Sequence, residues 1–183
     1  APGNAGIGTI AECADIAIDD LKGLADFAQN QGIDLTVVGP ELPLTLGIVD
    51  EFESRGLKIF GPSKKASVIE GSKAFAKDFM QKYHIPTASF RIFAEHFEGL
   101  DFVKEAGYPL VVKADGLAAG KGAIVCNNPD EACATVEKIM VQKVFGSAGL
   151  KLVIEEFLQG EEVTVMAFTD GKNVVPMVSS QDH

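Results

Sequence analysis

Two lysines bracket a run of small residues in Lys113-Ala114-Asp115-Gly116-Leu117-Ala118-Ala119-Gly120-Lys121-Gly122, an arrangement suited to gripping a polyphosphate. Glycines let backbone N–H groups approach an anion with no Cβ in the way, and two ammonium groups offset its charge. The apolar residues ahead of the loop read as a strand, in which residues two apart share a face. Val111 and Lys113 therefore lie together, opposite Leu110, Val112 and Ala114. Ala123 to Cys126 reads as a second strand, which makes the loop a flap at the tip of a β-hairpin. A Walker P-loop is excluded. Only three residues separate Gly116 from Gly120, Gly122 stands where a magnesium-binding hydroxyl belongs, and a strand follows instead of a helix. The competing reading is a surface hairpin with solvated lysines.

A second stretch, Val153 to Glu162, is an apolar strand that ends in acids and turns back at Gly160. Backbone groups freed at a strand end can pair with an adenine edge. Phe157 and Leu158 offer apolar contact, and Glu162 can accept from ribose hydroxyls. The competing reading is a solvated acidic turn. Lys73 falls in the first turn of a helix capped by Ser72, where an acidic residue is ordinarily preferred, so an anion is expected beside it. Gly39-Pro40-Glu41 and Gly61-Pro62-Ser63 sit at the carboxyl ends of strands, where open parallel sheets bind ligands, and Glu41 is the candidate there. His84 and His96 receive no catalytic role.

The elements that must position these groups follow from periodicity. Leu21 to Gln31 is an amphipathic helix with Leu24, Phe27 and Ala28 on one stripe, and it leads into the buried strand Leu35 to Gly39. Gly47 to Arg55 is helical, Gly56 stops it, and Leu57 to Phe60 is a strand. Repeated βα units imply a parallel sheet with covered faces. The Ser72 helix carries Phe75, Phe79, Met80 and Tyr83 as its apolar stripe. Beyond Phe90 come a helix near Leu100 to Ala106, the strand Pro109 to Ala114, the flap, the strand Ala123 to Cys126, a helix Asp130 to Val141 and the strand Leu152 to Glu156. Val163 to Thr169 and Val174 to Val178 read as two strands joined by Asp170-Gly171.

The chain of 183 residues has a net charge of −10, which opposes wrapping a polyanion and favours a small-molecule ligand over nucleic acid. Cys13, Cys126 and Cys133 are widely spaced, suggest neither disulfides nor a zinc site, and are expected to be buried thiols. No apolar run matches a membrane span and no signal-type segment opens the chain, so a cytoplasmic location is expected. Ala1-Pro2-Gly3-Asn4 reads as a turn with no initiating Met, and the natural start is expected upstream.

Taken in order, Pro2-Gly3-Asn4-Ala5-Gly6, Gly39-Pro40-Glu41, Ile59-Phe60-Gly61-Pro62, Glu70-Gly71-Ser72-Lys73-Ala74-Phe75, the Lys113 to Gly122 loop, Glu155-Glu156-Phe157-Leu158 and Ser180-Gln181-Asp182-His183 resemble the glycinamide ribonucleotide synthetases of the ATP-grasp superfamily. The resemblance implies an α/β fold. A partial Rossmann-like N-terminal domain (1–63) would be followed by a connecting helix (64–89), a small α+β ATP-grasp subdomain with the flap (90–160) and the start of the larger subdomain (161–183). It further implies that ATP phosphorylates glycine and that 5-phosphoribosylamine attacks the acyl phosphate.

By the same resemblance Lys73 and Lys113 would contact phosphates and Asp115, Gly116, Gly120, Lys121 and Gly122 would belong to the closing flap. Glu155, Glu156, Phe157 and Leu158 would hold adenine, and Glu162 the ribose. Gly3, Asn4, Glu41 and Asp182 would wall the glycine and phosphoribosylamine site. No covalent nucleophile is needed. The family's first strand and glycine turn, its ligands for Mg²⁺ or Mn²⁺ and its C-terminal domain are expected outside this stretch, which alone should not catalyse the reaction. A monomer or weak dimer is expected. The alternatives are another ATP-grasp carboxylate–amine ligase or carboxylase, and a non-catalytic nucleotide-binding module.

Overall fold

A computed structural model describes residues 1–181. The N-terminal unit is built on a small apolar core. Helix α1 (Leu21–Asn30) starts where the Asp20 carboxylate accepts from the Gly23 N–H, and it packs on α3 (Ile48–Ser54) through Ala25, Ala28, Ile48, Val49 and Phe52. Between them run β1 (Thr36–Val37) and the short helix α2 (Glu41–Leu46), and β2 (Ile59–Phe60) follows α3. The two strands pair in parallel, Thr36 opposite Ile59, as the βα pattern requires. They are only two residues long, shorter than expected, and the sheet is not covered on both faces. Ile59 packs on the helices, whereas Val37 and Phe60 are exposed. Helix α4 (Val68–Gly71) packs on α2, helped by the Ser67 hydroxyl, which donates to the Leu44 carbonyl at 3.0 Å.

Helix α5 (Lys73–Lys82) begins at the Ser72 cap, whose hydroxyl accepts from the Phe75 N–H at 3.1 Å. Its inner face is not the expected aromatic stripe. Ala74 and Lys77 are buried, while Phe75 and Tyr83 are exposed and stack along the outer surface through Phe79. Helical periodicity marks a face without saying what lies against it, and here the alanine and lysine face meets the sheet. The helix closes with His84 in the left-handed region (φ +55°). The His84 N–H donates to the Gln81 carbonyl and the Ile85 N–H to the Met80 carbonyl at 2.8 Å. This is the Schellman closure that glycine usually provides.

The second core lies under a four-stranded antiparallel sheet, ordered β3 (Phe90–Phe93), β6 (Leu152–Glu156), β4 (Leu110–Ala114), β5 (Ala123–Cys126). Helices α6 (His96–Glu105) and α7 (Pro129–Val136) cover one face, where Phe93, Val103, Leu110, Val112, Ala114, Cys126, Val136, Leu152 and Ile154 form the core. Strand β4 alternates as expected, with Leu110, Val112 and Ala114 inward. Central β6 is buried from Leu152 to Glu155 because α5 packs on its other side. The helix expected to reach Val141 leaves α geometry after Val136 and continues as a π turn over Glu137–Val141, against which Gly149 lies close. A hairpin of β7 (Ala167–Thr169) and β8 (Val174–Pro176) ends the described chain. The Asp170 carboxylate accepts from the Lys172 and Asn173 N–H groups at its turn.

Cys126 is buried and Cys133 half-buried, but Cys13 is exposed, contrary to expectation, because the segment around it joins neither core. At His84, replacement by glycine relieves left-handed strain and loses some chain entropy. His84→Gly is expected to raise the stability measured by urea unfolding by about 0.5 kcal/mol; an unchanged or lower midpoint contradicts this reading of the cap.

Candidate functional site

The β4–β5 register places Lys113 opposite Ala123, at the mouth of the flap, and on the face of the sheet that meets α5. Its Nζ donates to Glu155 Oε2 at 2.8 Å. Glu155 is the inward-facing acid of β6, only 6 % exposed. The same oxygen is met by Lys77 Nζ at 3.0 Å, and Glu155 Oε1 is buried with no hydrogen-bond partner. Lys77, 8 % exposed, also donates to Thr87 Oγ1 at 2.7 Å. Two ammonium groups thus converge on one carboxylate, leaving an excess of positive charge next to an oxygen still able to accept.

Lys73 enters from the first turn of α5, and the anion expected beside it is Asp115. The Asp115 carboxylate accepts from the Ala74 N–H at 2.7 Å and the Ser72 hydroxyl at 2.9 Å, while its carbonyl accepts from the Lys73 N–H at 3.0 Å. These bonds satisfy the helix's free N–H groups from a strand end more than forty residues away, an arrangement worth about 1 kcal/mol per cap. Lys73 Nζ donates to the Gly116 carbonyl at 3.0 Å. Burial pushes the Lys73 ammonium below the ordinary lysine value; the charge of Asp115 works against that shift.

The glycines of the loop have separate reasons. At Gly116 a Cβ would lie 2.9 Å from Ala148 Cα, and at Gly122 it would lie 2.5 Å from Ala118 Cβ, so both mark close approach. Gly120 takes a positive φ of +75° after Ala119 at +48°, which turns the tip. Asp115 and Gly116 are fastened to the body, to Lys151 and Ala148 as well as to α5, and Leu117 to Lys121 form the loop proper.

Lys73, Lys77, Lys113 and Glu155 line one cavity of about 230 Å³, together with Ile69, Glu70, Ala76 and Met80. The structure therefore brings together Lys73, Lys113 and Glu155. Glu156 turns elsewhere, its carboxylate accepting from the Ser89 N–H at 2.7 Å. Phe157, Leu158 and Glu162 follow β6 and are exposed. Gly3 and Asn4 lie in an exposed N-terminal turn, and Glu41 opens α2 just after β1; none of the three lines this cavity. Asp182 lies outside the described residues. Sequence reasoning missed Lys77 and the capping role of Asp115. The available signal for Lys77 was its position four residues after Lys73, on the same helix face.

The phosphoribosylglycinamide synthetase N domain matches residues 1–70, and the ATP-grasp (A) domain of the same synthetase matches residues 71–183. The chain belongs to the phosphoribosylglycinamide synthetase family. It is 52 % identical over 183 residues to the phosphoribosylamine–glycine ligase of Caldanaerobacter subterraneus subsp. tengcongensis, covering 100 % of this chain and 44 % of the relative. The chain thus spans under half the length of the curated relatives it matches. The crystal structure of phosphoribosylamine–glycine ligase from Thermotoga maritima aligns with a TM-score of 0.75 at 30 % identity, over 97 % of this chain and 42 % of that one. The biotin carboxylase domain of Hydrogenobacter thermophilus 2-oxoglutarate carboxylase shares the fold, with a TM-score of 0.72 at 22 % identity over 87 % of this chain and 36 % of that one. The fold of the family chain is accordingly an N-terminal α/β domain joined to ATP-grasp elements.

The buried Lys73 ammonium titrates below the ordinary lysine value of 10.5. Between its lowered value and the ordinary 10.5, the unfolded chain binds more protons than the folded one, so stability rises with pH across that window. Titration of ¹³C-dimethylated lysines by NMR is expected to show Lys73 below 10.5, and a value at or above 10.5 contradicts its burial.

Proposed function

We propose that this chain is the nucleotide-gripping part of an ATP-dependent ligase that joins glycine to 5-phosphoribosylamine. The observation that carries the reading is the cavity between α5 and the sheet, where Lys73 and Lys113 supply positive charge beside the buried carboxylate of Glu155. It is supported by a family match across both parts of the chain and by relatives that are named phosphoribosylamine–glycine ligases.

In this reading Lys73 and Lys113 face the phosphates of ATP, and the loop from Gly116 through Gly120 and Lys121 to Gly122 closes over them. Backbone groups at Glu156 to Leu158 take the adenine edge, with Glu155 behind them, and Glu162 takes the ribose. Asp115 serves the loop by anchoring its base to α5. Gly3, Asn4, Glu41 and Asp182 are assigned to the glycine and phosphoribosylamine site. The γ-phosphoryl group passes to the glycine carboxylate, the amine then attacks the acyl carbon, and phosphate leaves, giving glycinamide ribonucleotide, ADP and phosphate. Positioning and charge supply the catalysis, with no covalent bond to the protein.

The Hydrogenobacter domain was crystallised with MgADP, which supports a nucleotide with a divalent cation here too. Among the described residues no group of three or more His, Cys, Asp or Glu side chains could hold a metal ion, so no step is assigned to one. No helix of the described residues is long and apolar enough to cross a membrane. We place the ligase in the cytoplasm, as a monomer or weak dimer.

With the protein at the full length of its relatives, ADP release is expected only when ATP, glycine and phosphoribosylamine are all present. Release with a different acid and amine would make it another ATP-grasp ligase, and ATP binding without turnover would make it a binding module.

A further inference from the structure

Lys77 is a lysine that the proposed reaction does not use, yet it is the most deeply buried charge on α5. Its ammonium is fixed from three sides: by Glu155 Oε2 at 3.0 Å, by Thr87 Oγ1 at 2.7 Å and by the Phe90 ring, 5.7 Å from its centroid. The carboxylate it meets is the one that also holds Lys113.

We propose that Lys77 is a positioning residue for the nucleotide site, acting through Glu155 on Lys113; this rests on the ATP-binding reading above. Were Lys113 the sole counter-ion of Glu155, the two would form a closed neutral pair, and burial would favour that pairing over contact with a phosphate. Lys77 already neutralises Glu155 from the protein interior. Lys113, 26 % exposed at its side chain, is thereby left as surplus positive charge in the wall of the cavity that Lys73 also lines. The hydroxyl of Thr87 keeps Lys77 from following its charge outward.

The test measures steady-state kinetics of the protein at the full length of its relatives. Lys77→Met is expected to raise the KM for ATP about tenfold or more while leaving the KM for glycine within about twofold. A residue that only stabilises the fold would instead lower kcat through loss of active protein and leave both KM values unchanged. Thr87→Val keeps the charge but frees the ammonium, and is expected to raise the ATP KM about threefold, which decides the matter should Lys77→Met fail to fold. In a Lys113→Met background, Lys77→Met is expected to add less than about twofold, because the effect runs through Lys113. An unchanged ATP KM in both single variants, or fully multiplicative losses in the double variant, overturns the proposal. If the unsubstituted protein itself shows no ATP-dependent turnover, the ligase reading has failed; if it turns over and the variants match it, this inference alone has failed.

Discussion

The carboxylate of Glu155 is the constraint around which the site is arranged. It sits on the central strand of the sheet, covered by α5 on one side and backed by the α6 and α7 core on the other. A buried carboxylate is tolerated only when charge and hydrogen bonds compensate it, and removing one partner of such a group typically costs about 3–5 kcal/mol. Here the compensation comes from α5 through Lys77 and from β4 through Lys113, so three elements are locked in register by one oxygen. The contrast is Arg55, which joins Glu51 and Asp26 on the N-terminal unit. Asp26 is 63 % exposed there, and a pair screened by solvent in that way adds little to stability. Replacing a buried ion cluster by apolar residues is often neutral for stability. The cluster of Lys77, Glu155 and Lys113 therefore makes most sense as a device for holding charge in place.

A second lock lies at the base of the loop. Asp115 and Gly116 are bonded to the N-terminus of α5 and to the 146–151 segment, so the flap begins from a fixed point. What remains able to change is Leu117 to Lys121, with Gly120 in a conformation that other residues rarely adopt and Gly122 closing against Ala118. Such a short loop on a rigid base can close over phosphates without disturbing the sheet.

Much of this was legible in the sequence, and the parts that were not share a cause. Strand β6 matches its expected range, the hairpin of β4 and β5 follows from alternation, and the Ser72 cap is a local signal. Lys73 and Lys113 could be singled out because lysines beside glycines carry a chemical meaning of their own. Lys77 carries only the weaker signal of sharing a helix face with Lys73, because its burial depends on Glu155 and Thr87, which approach it only in the folded chain. A similar dependence holds for Asp115, whose target is a helix that begins forty-odd residues earlier. Periodicity marks Phe75, Phe79, Met80 and Tyr83 as the apolar stripe of α5 without identifying its partner, and the face that the fold buries is that of Ala74 and Lys77. Strands β1 and β2 are shorter than their apolar runs because only one side of their sheet has helices to pack on.

We propose that the nucleotide sits in the cavity between α5 and the sheet. A crystal structure of the protein at the full length of its relatives, grown with a non-hydrolysable ATP analogue, tests it most directly. Phosphate oxygens are expected within hydrogen-bond distance of Lys73 and Lys113, beneath the loop from Gly116 to Gly122, with adenine against the end of β6. A nucleotide bound elsewhere, with Lys113 still closed onto Glu155, would contradict it.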